Sequence, residues 1–150
     1  MNADVLKGRI LVLGYGNPGR QDDGLGPAAA EAIERLHAPG VRVEVNYLLN
    51  IEDAAEAAEH DWVVFVDAAE VGTEPFEVRE VSPADATAFT SHIVKPEVIM
   101  GICRKHYSRT PRALLIGIRG YEFELQEGFT NRGRSNLDRA IAYLRYLLGV

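Results

Sequence analysis

The chain has a single cysteine, Cys103, among 150 residues. It can therefore form no internal disulfide and no zinc site built on several thiolates. Positive charge is also in short supply: 16 Lys and Arg stand against 22 Asp and Glu, a formal net charge of −6 with a sequence pI of about 5.2. That balance repels a phosphate backbone and argues against a nucleic-acid partner. No apolar run approaches the roughly 20 residues of a membrane span. The polar opening, Met1 to Gly8, includes Asp4 and no apolar stretch of the signal-peptide type. Repeats, low-complexity tracts and interdomain linkers are missing too. What is there is an ordinary globular composition, 47% hydrophobic and 25% charged, in a length suited to one domain. The expectation is a single cytoplasmic domain over residues 1–150, not inserted in a membrane, with a monomer favoured.

The most informative stretch runs from Ile10 to Pro27. Ile10-Leu11-Val12-Leu13 is a continuous apolar run of the kind seen in buried parallel strands. It breaks at Gly14-Tyr15-Gly16-Asn17-Pro18-Gly19, a strand-to-helix turn, and then delivers two adjacent carboxylates, Asp22 and Asp23. A helix follows, about Asp23 to Leu36, with Leu25, Ala29, Ile33 and Leu36 at helical spacing. Val41, Val43 and Val45 alternate with polar residues and suit an edge strand. A short Ala- and Glu-rich helix is expected from about Ile51 to Glu59. Trp62-Val63-Val64-Phe65-Val66 reads as a central strand that stops at Asp67, and Phe76 to Val81 as a second edge strand. Residues 82–91 read as loop or short helix. Pro96 fits the first turn of a helix to about His106, and Ala113 to Ile118 reads as the last strong strand. After an irregular stretch from Tyr121 to Arg134, a final amphipathic helix is expected from Ser135, with Ser135 and Asp138 as capping pair. Strands alternating with helices imply βαβ units. The fold class is α/β: three layers, with a mostly parallel twisted sheet of about five strands flanked by helices.

Gly14 to Gly19 matches the spacing of a dinucleotide fingerprint, which would offer helix N–H groups to a pyrophosphate. Asp22 and Asp23 oppose that reading, because two carboxylates beside a pyrophosphate repel it, and the loop suits a cation better. Asp67 ends an apolar strand in the same topological position, although an aspartate there also serves simply as a turn or cap. His92 lies in the loop Thr90-Ser91-His92 ahead of the helix that opens at Pro96. His37, His60 and His106 look like helix C-terminal cations. Asp23, Asp67 and His92 together make a set of two carboxylates and an imidazole that three loops could bring to one edge of the sheet. Such donors suit nickel, zinc or manganese and leave coordination positions open.

Gly14-Tyr15-Gly16-Asn17 followed by Asp22-Asp23-Gly24-Leu25-Gly26 resembles the N-terminal motif of the hydrogenase maturation endopeptidases. Val64-Phe65-Val66-Asp67-Ala68 and Ser91-His92 are similar to two further blocks of that family, so the resemblance covers roughly Arg9 to Ile118. It implies an endopeptidase that removes a C-terminal extension from the large-subunit precursor of a nickel-iron hydrogenase after nickel insertion. The family's metal-contacting residues fall on Asp23, Asp67 and His92. The nickel is thought to be carried by the precursor, and no organic cofactor is implied. Gly14, Gly16, Asn17, Asp22 and Gly24 are then the supporting loop, with Asp22 either bracing the site or capping a helix. Two stretches depart from the family pattern, Tyr47-Leu48 after the second strand and Phe129 to Arg134 before the last helix, and both bear on which precursor is cut. The other readings are a non-catalytic, metal-dependent checkpoint module for the same precursor and a nucleotide-binding α/β domain.

Overall fold

The computed structural model describes residues 5–84 and 94–150. Five strands form one sheet: β1 (Ile10–Tyr15), β2 (Val41–Asn46), β3 (Trp62–Ala69), β4 (Phe76–Glu80) and β5 (Arg112–Arg119), in the order β2-β1-β3-β5-β4. All neighbours run parallel except β4, which pairs antiparallel with β5. The two strands with mixed patterns, β2 and β4, hold the edges, and the Trp62 run lies at the centre. Among the described residues no helix is long and apolar enough to cross a membrane.

The continuous apolar runs are explained by helices on both faces. Successive side chains of a strand point to opposite sides, so each run splits between two cores. Val12, Val64, Val66, Ile116 and Ile118 pack with Leu25 and Ile33 of α1 (Leu25–Glu34) and Leu137 and Leu144 of α4 (Asn131–Leu148). Leu11, Leu13, Val63 and Phe65 pack on the other side with Ala54 and Ala57 of α2 (Asp53–Ala57) and Ile99, Met100 and Cys103 of α3 (Pro96–Tyr107). Cys103 is buried there as a core residue.

Strand β1 continues through Gly14 and Tyr15, α1 ends at Glu34 and α2 is shorter than expected, Asp53–Ala57; three further differences bear on the site. Strand β3 runs past Asp67 to Ala69, because Asp67, Ala68 and Ala69 continue to pair with Gly117, Ile118 and Arg119 of β5. The Asp23 helix starts two residues late: Gln21–Gly24 is a 3-10 turn, and neither aspartate caps α1, whose N-cap is Gly24. Helix α4 starts at Asn131, not at Ser135. Thr130 is its N-cap, and the Thr130 hydroxyl oxygen accepts a hydrogen bond from the Gly133 N–H at 3.0 Å.

The topology fixes where a ligand should sit. From β1 the chain moves to β2 on one side, and β3 then returns to pair with β1 on the other. The carboxyl ends of β1 and β3 therefore flank a topological switch point, the crevice where open α/β sheets bind ligands. Asp23 follows β1 and Asp67 lies near the end of β3.

Candidate active site

The loop after β1 is folded tightly enough to present Asp23 at that crevice. Gly16 has φ of +141°, a conformation that favours glycine, and a Cβ there would collide with the Asp23 carbonyl oxygen. At Gly26, in the first turn of α1, a Cβ would meet the Val66 carbonyl oxygen and lie 2.8 Å from that of Tyr15. Only a bare backbone lets the start of α1 settle between the ends of β1 and β3. Gly14 and Gly24 make similar close approaches, to Ala30 and to Pro18. Asn17 donates its N–H to Asp23 Oδ2 at 2.8 Å, and its own Oδ1 accepts the Gly19 N–H at 2.9 Å. The Asp23 carboxylate thus takes the loop amide that a pyrophosphate would need, which disfavours the nucleotide reading.

Asp67 is largely buried, and its carboxyl is pushed up to about 7. Burial is the chief cause, and the Asp23 and Glu70 charges add to it; the Ala68 N–H, at 2.8 Å from Oδ1, and the Tyr15 hydroxyl work in the opposite direction. Tyr15 is itself held well above the ordinary phenol range, by burial first and then by the Asp67 charge. Asp23 and Asp67 are therefore close enough to feel one another across the switch point, with Tyr15 against Asp67. Two carboxylates that feel one another in this way suit a cation better than an anion. Among the described residues no group of three His, Cys, Asp or Glu side chains is placed to hold a metal ion. The third member of the expected set, His92, lies with Ser91 outside the described residues.

Asp22 has a different use from its neighbour. It is fully buried. Its carboxylate accepts the Thr130 hydroxyl at 2.7 Å, the Thr130 N–H at 2.9 Å and the Tyr121 N–H at 2.8 Å. It thereby ties the turn before α1 to the segment after β5 and to the N-cap of α4. Its capping role is thus at α4, more than a hundred residues away, and not at its own helix. Gln21 completes the join: its N–H donates to the Gln126 carbonyl at 2.9 Å and its Oε1 accepts the Glu124 N–H at 3.1 Å.

Of the other histidines, His60 is buried with Nδ1 2.8 Å from the Glu56 carbonyl oxygen, just past α2, and His106 lies in the basic last turn of α3. His37 follows α1 in a left-handed conformation, φ +49°. Tyr15 and Thr130 were missed in the sequence. Tyr15 could have been found from its place between the two glycines of the motif, whereas nothing near Thr130 announces its partner.

No protein-family model matches the chain, and neither does any curated protein. Solved structures do, and they define a class. The [NiFe] hydrogenase maturation protease HycI of Thermococcus kodakarensis KOD1 superposes with a TM-score of 0.73 at 24% identity, over 95% of this chain and 93% of that one. HybD of E. coli, a hydrogenase maturating endopeptidase, gives 0.74 at 21% identity over 94% and 92%. A hydrogenase 2 maturation peptidase from a Thaumarchaeota archaeon gives 0.68 at 19% identity over 94% and 98%. The chain has the fold of the hydrogenase maturation proteases over nearly its whole length. The three-layer α/β fold expected from the alternation of strands and helices is the fold found.

Proposed function

We propose that this protein is an endopeptidase that removes the C-terminal extension of a nickel-loaded hydrogenase large-subunit precursor. The observation that carries the reading is the meeting of Asp23 and Asp67 at the β1/β3 switch point, in a fold whose solved examples are hydrogenase maturation proteases. The precursor's nickel is substrate cargo, and Asp23, Asp67 and His92 are the residues that would hold it. A divalent metal supplies a polarised carbonyl or an acidified water when bound. Docking the cargo places the scissile bond beside the two carboxylates, which turns hydrolysis into a proximity-assisted step. A carboxylate at the site that is left unligated would take the proton of an attacking water. Asp22 holds the turn that carries Asp23. The precursor matures in the cytoplasm in this reading, and the protein works there.

The test is turnover of nickel-loaded precursor, followed by intact mass. We expect loss of a C-terminal peptide, with product exceeding one equivalent per chain, and no product with Asp23→Asn. Stoichiometric binding without a mass change would instead support a checkpoint module. Full activity of Asp23→Asn would remove Asp23 from the site.

A further inference from the structure

Among the described residues the most exposed large apolar side chains lie on the same edge of the sheet as Asp23 and Asp67. Leu125 is 86% exposed and Val71 78%, in the segments that follow β5 and β3; Leu48 and Tyr47, 72% and 70% exposed, follow β2. The large apolar residues exposed at the two chain ends and on the helices reach only 55%. Apolar side chains left bare around one edge mark a contact surface.

Between the segments after β3 and β5 lies a groove of about 760 Å³, lined in part by Arg20, Glu70, Tyr121, Glu122, Phe123 and Glu124. That volume falls in the range of sites that take a ligand or several peptide side chains. Val71 follows Glu70 in the chain and Leu125 follows Glu124, so an exposed apolar residue stands next in sequence to each of two glutamates of the groove. The walls are braced by the Gln21 bonds to Gln126 and Glu124 and by a parallel bridge between Arg20 and Gln126. The charge inside is unbalanced. Arg20 already donates from Nη2 to the Phe123 carbonyl at 3.0 Å and lies 4.0 Å from Asp23. Glu122 accepts only a long bond, 3.4 Å, from Gln21. Among the described residues the carboxylates of Glu70 and Glu124 have no hydrogen-bond or ion-pair partner.

We propose that this groove, with the exposed Val71 and Leu125 next to its glutamates in the chain, seats the precursor's C-terminal segment, and that the segment it accepts carries basic side chains beside apolar ones. The inference rests on the peptidase reading above and names the chemistry of its substrate. Unneutralised glutamates recruit Lys or Arg and repel acidic or phosphorylated chains, while the exposed Val71 and Leu125 offer apolar surface to aliphatic side chains of the peptide.

The test is peptide binding by fluorescence anisotropy, read without turnover. Two labelled peptides are used: the precursor's C-terminal segment, and the same segment with every Lys and Arg changed to Glu. The proteins are the wild type, Glu70→Lys with Glu124→Lys, and Val71→Ser with Leu125→Ser; all four positions are exposed, so each variant should fold. We expect the wild type to bind the native peptide, with Kd about tenfold weaker in each double variant. The acidic peptide should bind the double-Lys variant more tightly than the wild type. Equal binding of both peptides by the wild type, an unchanged Kd in both variants, or a precursor segment without Lys or Arg would each overturn the proposal. Binding of the native peptide without cleavage of the precursor would sink the peptidase reading and leave the groove standing. Cleavage with an unchanged Kd in the variants would do the reverse.

Discussion

Asp22 and Asp67 are two carboxylates withdrawn from water at the same edge of one sheet, and they differ in what surrounds them. Asp22 is met by the Thr130 hydroxyl and by the N–H groups of Thr130 and Tyr121, all within 2.9 Å. Asp67 has the Ala68 N–H and the Tyr15 hydroxyl, but it also faces the charges of Asp23 and Glu70. A buried carboxylate with a full set of donors is a fastening. One that is buried opposite other carboxylates holds its proton up to about pH 7 and is available for chemistry. The difference lies in the donors supplied and the charges faced as well as in burial, Asp22 being fully buried and Asp67 partly so.

The sharpest way to break the comparison is to remove charge from the second pair. Asp67→Asn or Asp23→Asn should lower precursor processing by at least about a thousandfold while leaving circular dichroism unchanged. Next in size is the loop itself. Gly16→Ala forces both a φ of +141° and a clash with the Asp23 carbonyl, and should cost about 3 kcal/mol or more in chemical denaturation. Asp22→Ala should cost about 3 kcal/mol, because it strands the buried donors of Thr130 and Tyr121. That loss should come with a reduced kcat for any precursor, since the turn before α1 is freed.

Asp67→Asn should move stability the other way. The Asp67 pKa is raised from 3.8 to about 7 on folding, so its stabilising contribution is full below pH 4 and is lost as pH rises through 7. At pH 8 the wild type carries a penalty of up to about 4 kcal/mol that Asn avoids. The variant should therefore melt higher than the wild type at pH 8, with the gap closing toward pH 4. A lower melting temperature at pH 8 would refute the assigned burial effect. The same titration sets activity: kcat/KM should fall about tenfold per pH unit below pH 7, because the free enzyme then holds Asp67 protonated. The smallest effect is Thr130→Val, which removes the α4 cap and one bond to Asp22 and should cost about 1 to 2 kcal/mol.

These contrasts also show what the sequence could disclose. Strands β1, β3 and β5 were legible because a strand buried on both faces must be apolar at every position. The sequence allowed Asp23 and Asp67 to share one edge of the sheet without showing that they converge, since the strand order that brings the two ends together is set by pairing and not by spacing. The end of β3 was not legible: Asp67-Ala68-Ala69 has no strand character of its own and is held by pairing with β5. Nor was the start of α4, where Asn131 and Gly133 are weak helix formers fixed by a cap tied to Asp22. The role of Asp22 was hidden for the same reason, since its partners lie about a hundred residues away in the chain.

The most direct test is intact-mass analysis of hydrogenase large-subunit precursor, nickel-loaded and nickel-free, incubated with wild-type protein and with Asp67→Asn. The account predicts loss of a C-terminal peptide from the loaded precursor only, and only with the wild type. Cleavage by Asp67→Asn at the wild-type rate would contradict it, as would an intact loaded precursor after incubation with the wild type.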